Sequence, residues 1–197
     1  MNRKGFAMIP ITMILGYVLI AVFIVVEGRM RKTEAAKSWS GGAFDRRSTL
    51  LNGAVFEFVF FAPPLLDYFQ FGLVGQVTTV GFTGLAIMLL GLSMRVWAAR
   101  TLGEFYTRTL TVTENQRIIE GGPYKVVRHP GYLGIILLYT GFGVAAANWI
   151  ATAAIAGFTL TAYAYRITRE ETMLIAAFGF RYEEYMARTR KIIPGIY

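Results

Sequence analysis

Long uncharged apolar runs restrict what this sequence can fold into more than any other feature. The first extends from Phe6 to Val26, 21 residues without a charge. At about 1.5 Å per residue, such a helix crosses a hydrocarbon core of about 30 Å. A signal peptide has a shorter apolar run, about 7–15 residues, and ends in small residues. Here Glu27-Gly28-Arg29 follows instead, so we predict a retained membrane helix.

Four more apolar blocks follow, at 54–71, 73–99, 132–147 and 149–165. Only 16% of the residues are charged, whereas soluble domains carry about a quarter. The sequence therefore predicts an all-α integral membrane helical bundle of about five transmembrane helices. Asn148 predicts a tight turn that joins the last two blocks into a hairpin, which is short for two crossings.

Two of these blocks carry residues with specific structural consequences. Pro63-Pro64 predicts that the block 54–71 is kinked or broken near its middle. In the block 73–99, Gly81, Gly84 and Gly91 allow close helix approach. The carboxylates Glu57 and Asp67 are hints of transport, but placement near a span end or facing the bundle explains them more simply.

The basic residues predict the orientation in the membrane. Six Lys and Arg lie in 29–47, six in 95–128 and six in 166–191, but none in 67–76. Because cytoplasmic loops collect Lys and Arg, we expect the N-terminus outside and the C-terminus in the cytoplasm. The membrane would be the cell membrane in a prokaryote and the endoplasmic reticulum membrane in a eukaryote. Anionic headgroups explain the net charge of +8, and membrane lipids rather than nucleic acid are the expected partners.

Several kinds of site are excluded by composition. The chain has no cysteine and one histidine, which excludes thiolate chemistry and disfavours a metal centre. Neither a dinucleotide-binding nor a phosphate-binding glycine motif is present. We therefore predict no metal.

The one histidine lies where a polar loop meets an apolar helix. His129 precedes Pro130, which suits the first helical position, and the helix start offers unsatisfied N–H groups to an anion. A second polar segment follows the last apolar block, where Arg166 and Glu170 share a helix face. Taken alone, each segment is also compatible with an ordinary interfacial loop or helix.

Three spaced motifs connect these two segments. They are Gly122-Pro123-Tyr124-x-x-Val127-Arg128-His129-Pro130-x-Tyr132-x-Gly134, Arg166-x-x-x-Glu170-Glu171-x-x-Leu174 and Phe178-Gly179-x-x-Tyr182-x-x-Tyr185, with Leu102-Gly103-x-Phe105 upstream. Their order and spacing resemble the isoprenylcysteine carboxyl methyltransferase family, in its compact, prokaryotic-like form. The resemblance covers about 102–194, nearly half of the chain.

The resemblance implies a membrane enzyme that transfers a methyl group from S-adenosylmethionine to a carboxylate and releases S-adenosylhomocysteine. It implies a lipophilic, isoprenylcysteine-like acceptor that enters from the bilayer. Residues 1–100 would hold three spans, and 101–197 the catalytic half with the hairpin 131–165, a C-terminal helix and a cytoplasmic cofactor pocket. Arg166 would hold the acceptor's carboxylate, and Glu170 the cofactor. The rest of the cofactor pocket would be Gln116 (a His in many relatives), Arg117, Ile118, Ile119, Tyr124, His129, Pro130, Gly131 and Tyr132.

These residue types suit that chemistry. A carboxylate such as Glu170 pairs with a cationic centre, aromatic rings attract a sulfonium, and an arginine fork holds a carboxylate. The acceptor is already ionised at pH 7, so alignment replaces a strong base; well-oriented approach is worth roughly 7–11 kcal/mol.

Two other functions stay open. A phospholipid or other lipid N-methyltransferase shares similar pocket residues, although the charge of Arg166 repels an amine acceptor. A non-catalytic membrane sensor or small transporter would use the C-terminal helices structurally, bind no cofactor and tolerate Glu170→Ala.

Overall fold

The computed structural model describes residues 9–31, 46–107, 110 and 116–193, and these ranges contain helices and no β-strand. The helices are α1 (Ile11–Met30), α2 (Arg46–Tyr68), α3 (Val77–Leu102), α4 (Pro130–Ala145), α5 (Trp149–Phe178) and α6 (Phe180–Arg188), with 3₁₀ turns at Gly103–Phe105 and Gly122–Lys125. The predicted all-α membrane bundle is confirmed.

Three helices have the length and composition to cross a bilayer: Ile11–Met30, Arg47–Tyr68 and Val77–Phe105. The apolar α4 has only 16 residues. The helix α5 has 30 residues, which at about 1.5 Å per residue makes it about 45 Å long, so the apolar block and the polar segment after it form one rod. Three predicted spans are thus matched among the described residues, and the total of five stays a prediction.

The second apolar block is not broken at its prolines, because α2 continues through Pro63 and Pro64; the kink, the other predicted outcome, stays a prediction. Each proline removes a backbone donor from the carbonyl four residues earlier. For Pro64 that carbonyl belongs to Phe60, and the hydroxyl of Tyr17 on α1 donates to it at 2.6 Å. A neighbouring helix therefore satisfies a carbonyl that the proline left without a donor, as membrane helices with proline require.

Glycines let α3 and α4 pack with their backbones close together. A Cβ added to Gly91 would lie 2.6 Å from both the Gly134 carbonyl oxygen and the Leu138 nitrogen, and one added to Gly134 would lie 2.7 Å from the Gly91 oxygen. A Cβ on Gly84 would collide with the backbone of Ala145. The predicted close approach at these α3 glycines is confirmed, and the glycines of α4 complete it.

Hydrogen bonds of Asn148 connect the end of α2 and the loop after it to the turn between α4 and α5. The side chain of Asn148 donates to Asp67 Oδ1 and to the Phe71 carbonyl, both at 2.8 Å. Its oxygen accepts from the Ala151 nitrogen at 2.9 Å and so caps α5. The turn predicted at Asn148 is confirmed, and Asp67 is buried facing the bundle.

Replacement of Gly91 by alanine is expected to lower stability by about 1–3 kcal/mol, because the new methyl group overpacks the α3–α4 contact. Thermal unfolding in detergent measures the effect. Gly157→Ala is the matched control, since a Cβ at Gly157 on α5 meets nothing within 4 Å. Equal midpoints for the two variants would contradict the close approach of α3 and α4.

Candidate functional site

A cavity of about 670 Å³ lies where α1 ends and α2 begins. Its wall is formed by the last turns of α1 and α3, the first turns of α2 and α4, the second half of α5, one face of α6, and the segment between α3 and α4. The basic residues of the sequence concentrate near this end of the bundle. The cavity therefore joins the apolar bundle to the polar segments that the sequence singled out.

Ten of the eleven predicted site residues line this cavity. They are Gln116, Arg117, Ile118, Ile119, Tyr124, His129, Gly131, Tyr132, Arg166 and Glu170. The eleventh, Pro130, is buried as the first residue of α4 and is not among the lining residues. The fold thus brings both predicted segments to one site, although their ligands stay a prediction.

His129 lies between two carboxylates. Its Nε2 is 3.3 Å from Glu171 Oε1, and its Nδ1 is 3.7 Å from Glu170 Oε2. The ring stacks on Tyr132, with a centroid distance of 5.6 Å and an angle of 7° between the planes. Because Pro130 starts α4 directly after His129, the imidazole is held at the positive end of that helix.

Glu171 is the centre of a buried ionic network that the sequence reading did not assign. Arg128 Nε donates to its Oε1 at 2.8 Å, and Lys191 Nζ lies 3.6 Å from its Oε2. Burial would raise the pKa of Glu171, but the hydrogen bonds and charges of His129 and Arg128 outweigh it and lower the pKa to about 2. The carboxylate therefore stays ionised at physiological pH.

The C-terminal segment after α6 is strapped to the start of α4 by backbone hydrogen bonds. The Arg128 nitrogen donates to the Arg190 carbonyl at 2.7 Å, and the His129 nitrogen donates to the Lys191 carbonyl at 3.0 Å. The Arg128 guanidinium also donates to the carbonyl of Thr189 at 2.6 Å. The segment 189–191, which follows the last helix, thereby fixes the backbone at Arg128 and His129.

Arg166 is buried on α5 and points into the cavity. Its Nε donates to the Tyr132 hydroxyl at 3.0 Å, and its Nη1 donates to Ser48 Oγ on α2 at 2.9 Å. The guanidinium carbon lies 5.9 Å from the centre of the Tyr132 ring. These contacts hold a planar donor fork at the cavity wall, which is the geometry that binds a carboxylate.

Glu170 offers an acceptor to whatever occupies the cavity. Its Oε2 is buried and has no hydrogen-bond partner among the described residues; the nearest nitrogen of His129, at 3.7 Å, is too distant. A buried carboxylate oxygen without a donor is costly. The cavity at Glu170 therefore suits a cationic or donor group of a ligand.

Tyrosines supply much of the aromatic wall. Burial raises the pKa of Tyr124, in spite of the opposing charge of Arg95, and burial also raises the pKa of Tyr182 and Tyr185. The Tyr185 hydroxyl donates to the Tyr124 carbonyl at 2.8 Å. Neutral rings at physiological pH present electron-rich faces that attract a ligand cation.

A second buried ionic cluster lines the cavity on the side of α1 and α3. Arg95 donates from Nε and Nη2 to Glu27 Oε1, at 3.0 and 2.8 Å. The Tyr106 hydroxyl donates to both Glu27 oxygens, and Arg31 Nη2 lies 3.4 Å from Glu27 Oε2. Sequence reasoning missed this cluster, although a charge as deep in an apolar run as Arg95 indicates a partner.

Loss of the Glu171 charge is expected to destabilise the protein by about 3 kcal/mol, because Glu171→Gln leaves the buried Arg128 without its counter-ion. The difference from wild type should be complete above about pH 5 and shrink as the pH falls toward 2, since the pKa of this carboxyl drops from 4.5 to about 2 on folding.

Glu120→Gln is the control for that prediction, measured by thermal unfolding across the same pH range. Glu120 pairs with Arg188 at 2.8 Å, but the two side chains are 39% and 56% exposed. An exposed pair contributes about 0–1 kcal/mol. A loss for Glu171→Gln no larger than for Glu120→Gln would contradict the buried network.

Comparison with known proteins identifies relatives of this chain. Residues 84–176 match the model of the isoprenylcysteine carboxyl methyltransferase family. A probable protein-S-isoprenylcysteine O-methyltransferase of Oryza sativa subsp. indica is 32% identical over 122 residues, 59% of this chain and 62% of the relative. Protein-S-isoprenylcysteine O-methyltransferase B of Arabidopsis thaliana is 32% identical over 113 residues, 56% of this chain and 57% of the relative. The chain therefore spans about three fifths of the length of these relatives.

The fold also has a solved counterpart. The structure of the eukaryotic intramembrane Ras methyltransferase, isoprenylcysteine carboxyl methyltransferase, has a TM-score of 0.61 to this chain at 19% identity. The match covers 93% of this chain and 63% of that chain. The likeness concerns the fold, and with the family match it confirms the resemblance found in the sequence motifs.

Proposed function

We propose that the chain is an S-adenosylmethionine-dependent carboxyl O-methyltransferase of a membrane, which its match to the isoprenylcysteine carboxyl methyltransferase family model over residues 84–176 supports. The observation that supports this most is the placement of Arg166 and Glu170 in one cavity, four residues apart on α5. One is a buried cation with a donor fork, and the other is a carboxylate with an unsatisfied oxygen. Together they suit an anionic acceptor and a cationic cofactor.

The residues of the cavity fit S-adenosylmethionine. The buried oxygen of Glu170 takes a cationic group, and the neutral rings of Tyr124 and Tyr132 provide faces for a sulfonium. The segment 116–119 forms an apolar and polar part of the cavity wall, where the rest of the cofactor would bind. When bound, the cofactor supplies an electrophilic methyl group. The contribution of the chain is to orient it and to exclude water.

Arg166 binds the carboxylate of the acceptor and fixes its direction. Ser48 and Tyr132 hold the guanidinium through one nitrogen each, which keeps the fork in place when the acceptor leaves. An ionised carboxylate is already a nucleophile, so no residue has to remove a proton. A lipid amine would meet the positive charge of Arg166 instead, which disfavours the N-methyltransferase alternative.

The acceptor is a lipophilic acid that enters from the bilayer between α1 and α2. The cavity wall includes Phe23 and Ile24 of α1 and Phe56 of α2, and Ile24 is 50% exposed. Gly28 and Gly53 face the same space, and a Cβ on either would meet nothing within 4 Å. Apolar walls and two glycines make this gap passable for an isoprenoid tail, whose burial is favourable at about 0.8 kcal/mol per CH₂.

This function also fits the predicted topology. The cavity lies near the regions rich in Lys and Arg, which the charge rule places in the cytoplasm. The C-terminus is then cytoplasmic and the N-terminus outside, and residues 101–197 provide most of the cofactor site. The membrane is the cell membrane in a prokaryote or the endoplasmic reticulum membrane in a eukaryote.

Calorimetric titration of S-adenosylhomocysteine into the detergent-purified protein tests the cofactor site. Wild type is expected to bind in the micromolar range, and Glu170→Ala to weaken binding at least about tenfold, since a charged hydrogen bond contributes roughly 1.5–3 kcal/mol. Arg166→Ala should bind nearly as wild type but transfer no methyl group to a prenylcysteine. Absence of binding by folded wild type would overturn the proposal in favour of a sensor or transporter.

A bulky residue at the gap tests the entry path. Gly53→Trp is expected to raise KM for a farnesylated acceptor at least about tenfold while affinity for S-adenosylhomocysteine stays unchanged, because the side chain fills the space beside α1. Gly157→Trp is the control, since this α5 glycine also has open space around it but does not line the cavity. Equal kinetics for the two variants would exclude entry at Gly53.

A further inference from the structure

The guanidinium of Arg95 has one nitrogen, Nη1, that no described residue accepts a hydrogen bond from. This α3 residue is 8% exposed and lines the cavity. Its Nε and Nη2 are both used on Glu27. Among the described residues, Nη1 donates no hydrogen bond. A buried guanidinium normally satisfies its donors, so Nη1 is available to a molecule in the cavity.

That nitrogen lies beside the first turn of α4. A Cβ added to Gly131 would lie 2.9 Å from Arg95 Nη1, so a larger residue at this position would displace that nitrogen. The N–H of Gly131 is one of the four that have no partner within a helix, and within the described part of the chain it finds no other acceptor. Two donors, one charged, therefore converge at the positive end of α4.

Two arginines share one carboxylate in the cluster around Arg95. Glu27 carries one negative charge and faces two positive ones, on Arg95 and Arg31. Tyr106, the third group bonded to Glu27, is a phenol and adds no charge. An anion in this part of the cavity would therefore lie beside two guanidinium groups and one carboxylate.

We propose that Arg95 Nη1 and the Gly131 N–H bind the carboxylate of the amino-acid part of the cofactor, with Glu27 and Tyr106 as positioning residues for Arg95. The assignment rests on the proposed function and adds a binding group to it. It complements Glu170, whose unpartnered oxygen takes the cationic part of the same molecule. A zwitterionic amino acid group then meets one residue of opposite charge for each of its ends.

Removal of the carboxylate from the ligand tests this assignment without an activity assay. Calorimetry compares S-adenosylhomocysteine with its decarboxylated analogue on wild type and on the double variant Glu27→Gln/Arg95→Gln, which removes both charges of the Arg95–Glu27 pair. Wild type is expected to prefer the carboxylate form about 10- to 100-fold. The double variant should lose most of this preference, because only the Gly131 N–H remains to bind the carboxylate, and an unchanged preference would overturn the assignment.

The exposed pair supplies the control, because Glu120→Gln/Arg188→Gln removes equal charges and should keep the wild-type preference. Wild type that binds both ligands equally would overturn the assignment and leave the proposed function intact. Wild type that binds neither would overturn the proposed function itself.

If the double variant fails to fold, Gly131→Ala tests the assignment instead. Its methyl group displaces Arg95 Nη1 and should reduce the preference, and an unchanged preference would count against the assignment.

Discussion

The close contact of α3 with α4 is the constraint on which the rest of the structure depends. At Gly91 and Gly134 the two backbones meet without a side chain between them, and a Cβ on Gly134 would lie 2.8 Å from the Arg95 nitrogen. The backbone of Arg95 on α3 therefore lies beside the first turns of α4, and its guanidinium reaches the first turn of that helix. A wider spacing between α3 and α4 would move the buried charge of Arg95 away from the start of α4 and change this part of the cavity wall.

Each buried charge of the site joins elements that lie far apart in the chain. Arg95 and Glu27 connect α3 to α1, and Arg128 and Glu171 connect the start of α4 to the end of α5. Such pairs add little net stability over apolar packing, but breaking one is costly, so they fix relative positions. Polar atoms that remain unmatched are then significant, and here one belongs to Glu170. Under the proposed function, these few groups determine which ligand binds, while the surrounding helices supply shape.

The sequence predicted the site residues that carry their signal locally. Arg166 and Glu170 are four apart on a helix, and His129 precedes a proline at an apolar boundary, so local spacing singled out these positions. The roles predicted for them came from the resemblance to the methyltransferase family. The partners were harder to predict, because 68 residues separate Glu27 from Arg95 and 118 separate Ser48 from Arg166. Such pairing depends on how helices pack, which periodicity does not encode. The break expected at Pro63-Pro64 is absent for the same reason, because the donor that satisfies the Phe60 carbonyl comes from another helix.

The hydrogen bond from Tyr17 to the Phe60 carbonyl joins α1 and α2 away from the cavity, and their rings pack there with centroids 4.9 Å apart. Nearer the site, residues of the same two helices form part of the cavity wall. The direct contact between α1 and α2 at Tyr17 and Phe60 therefore lies away from the residues that face the cavity. At the ends near the site each helix is held by a different partner, because Glu27 of α1 pairs with Arg95 on α3 and Ser48 of α2 accepts from Arg166 on α5.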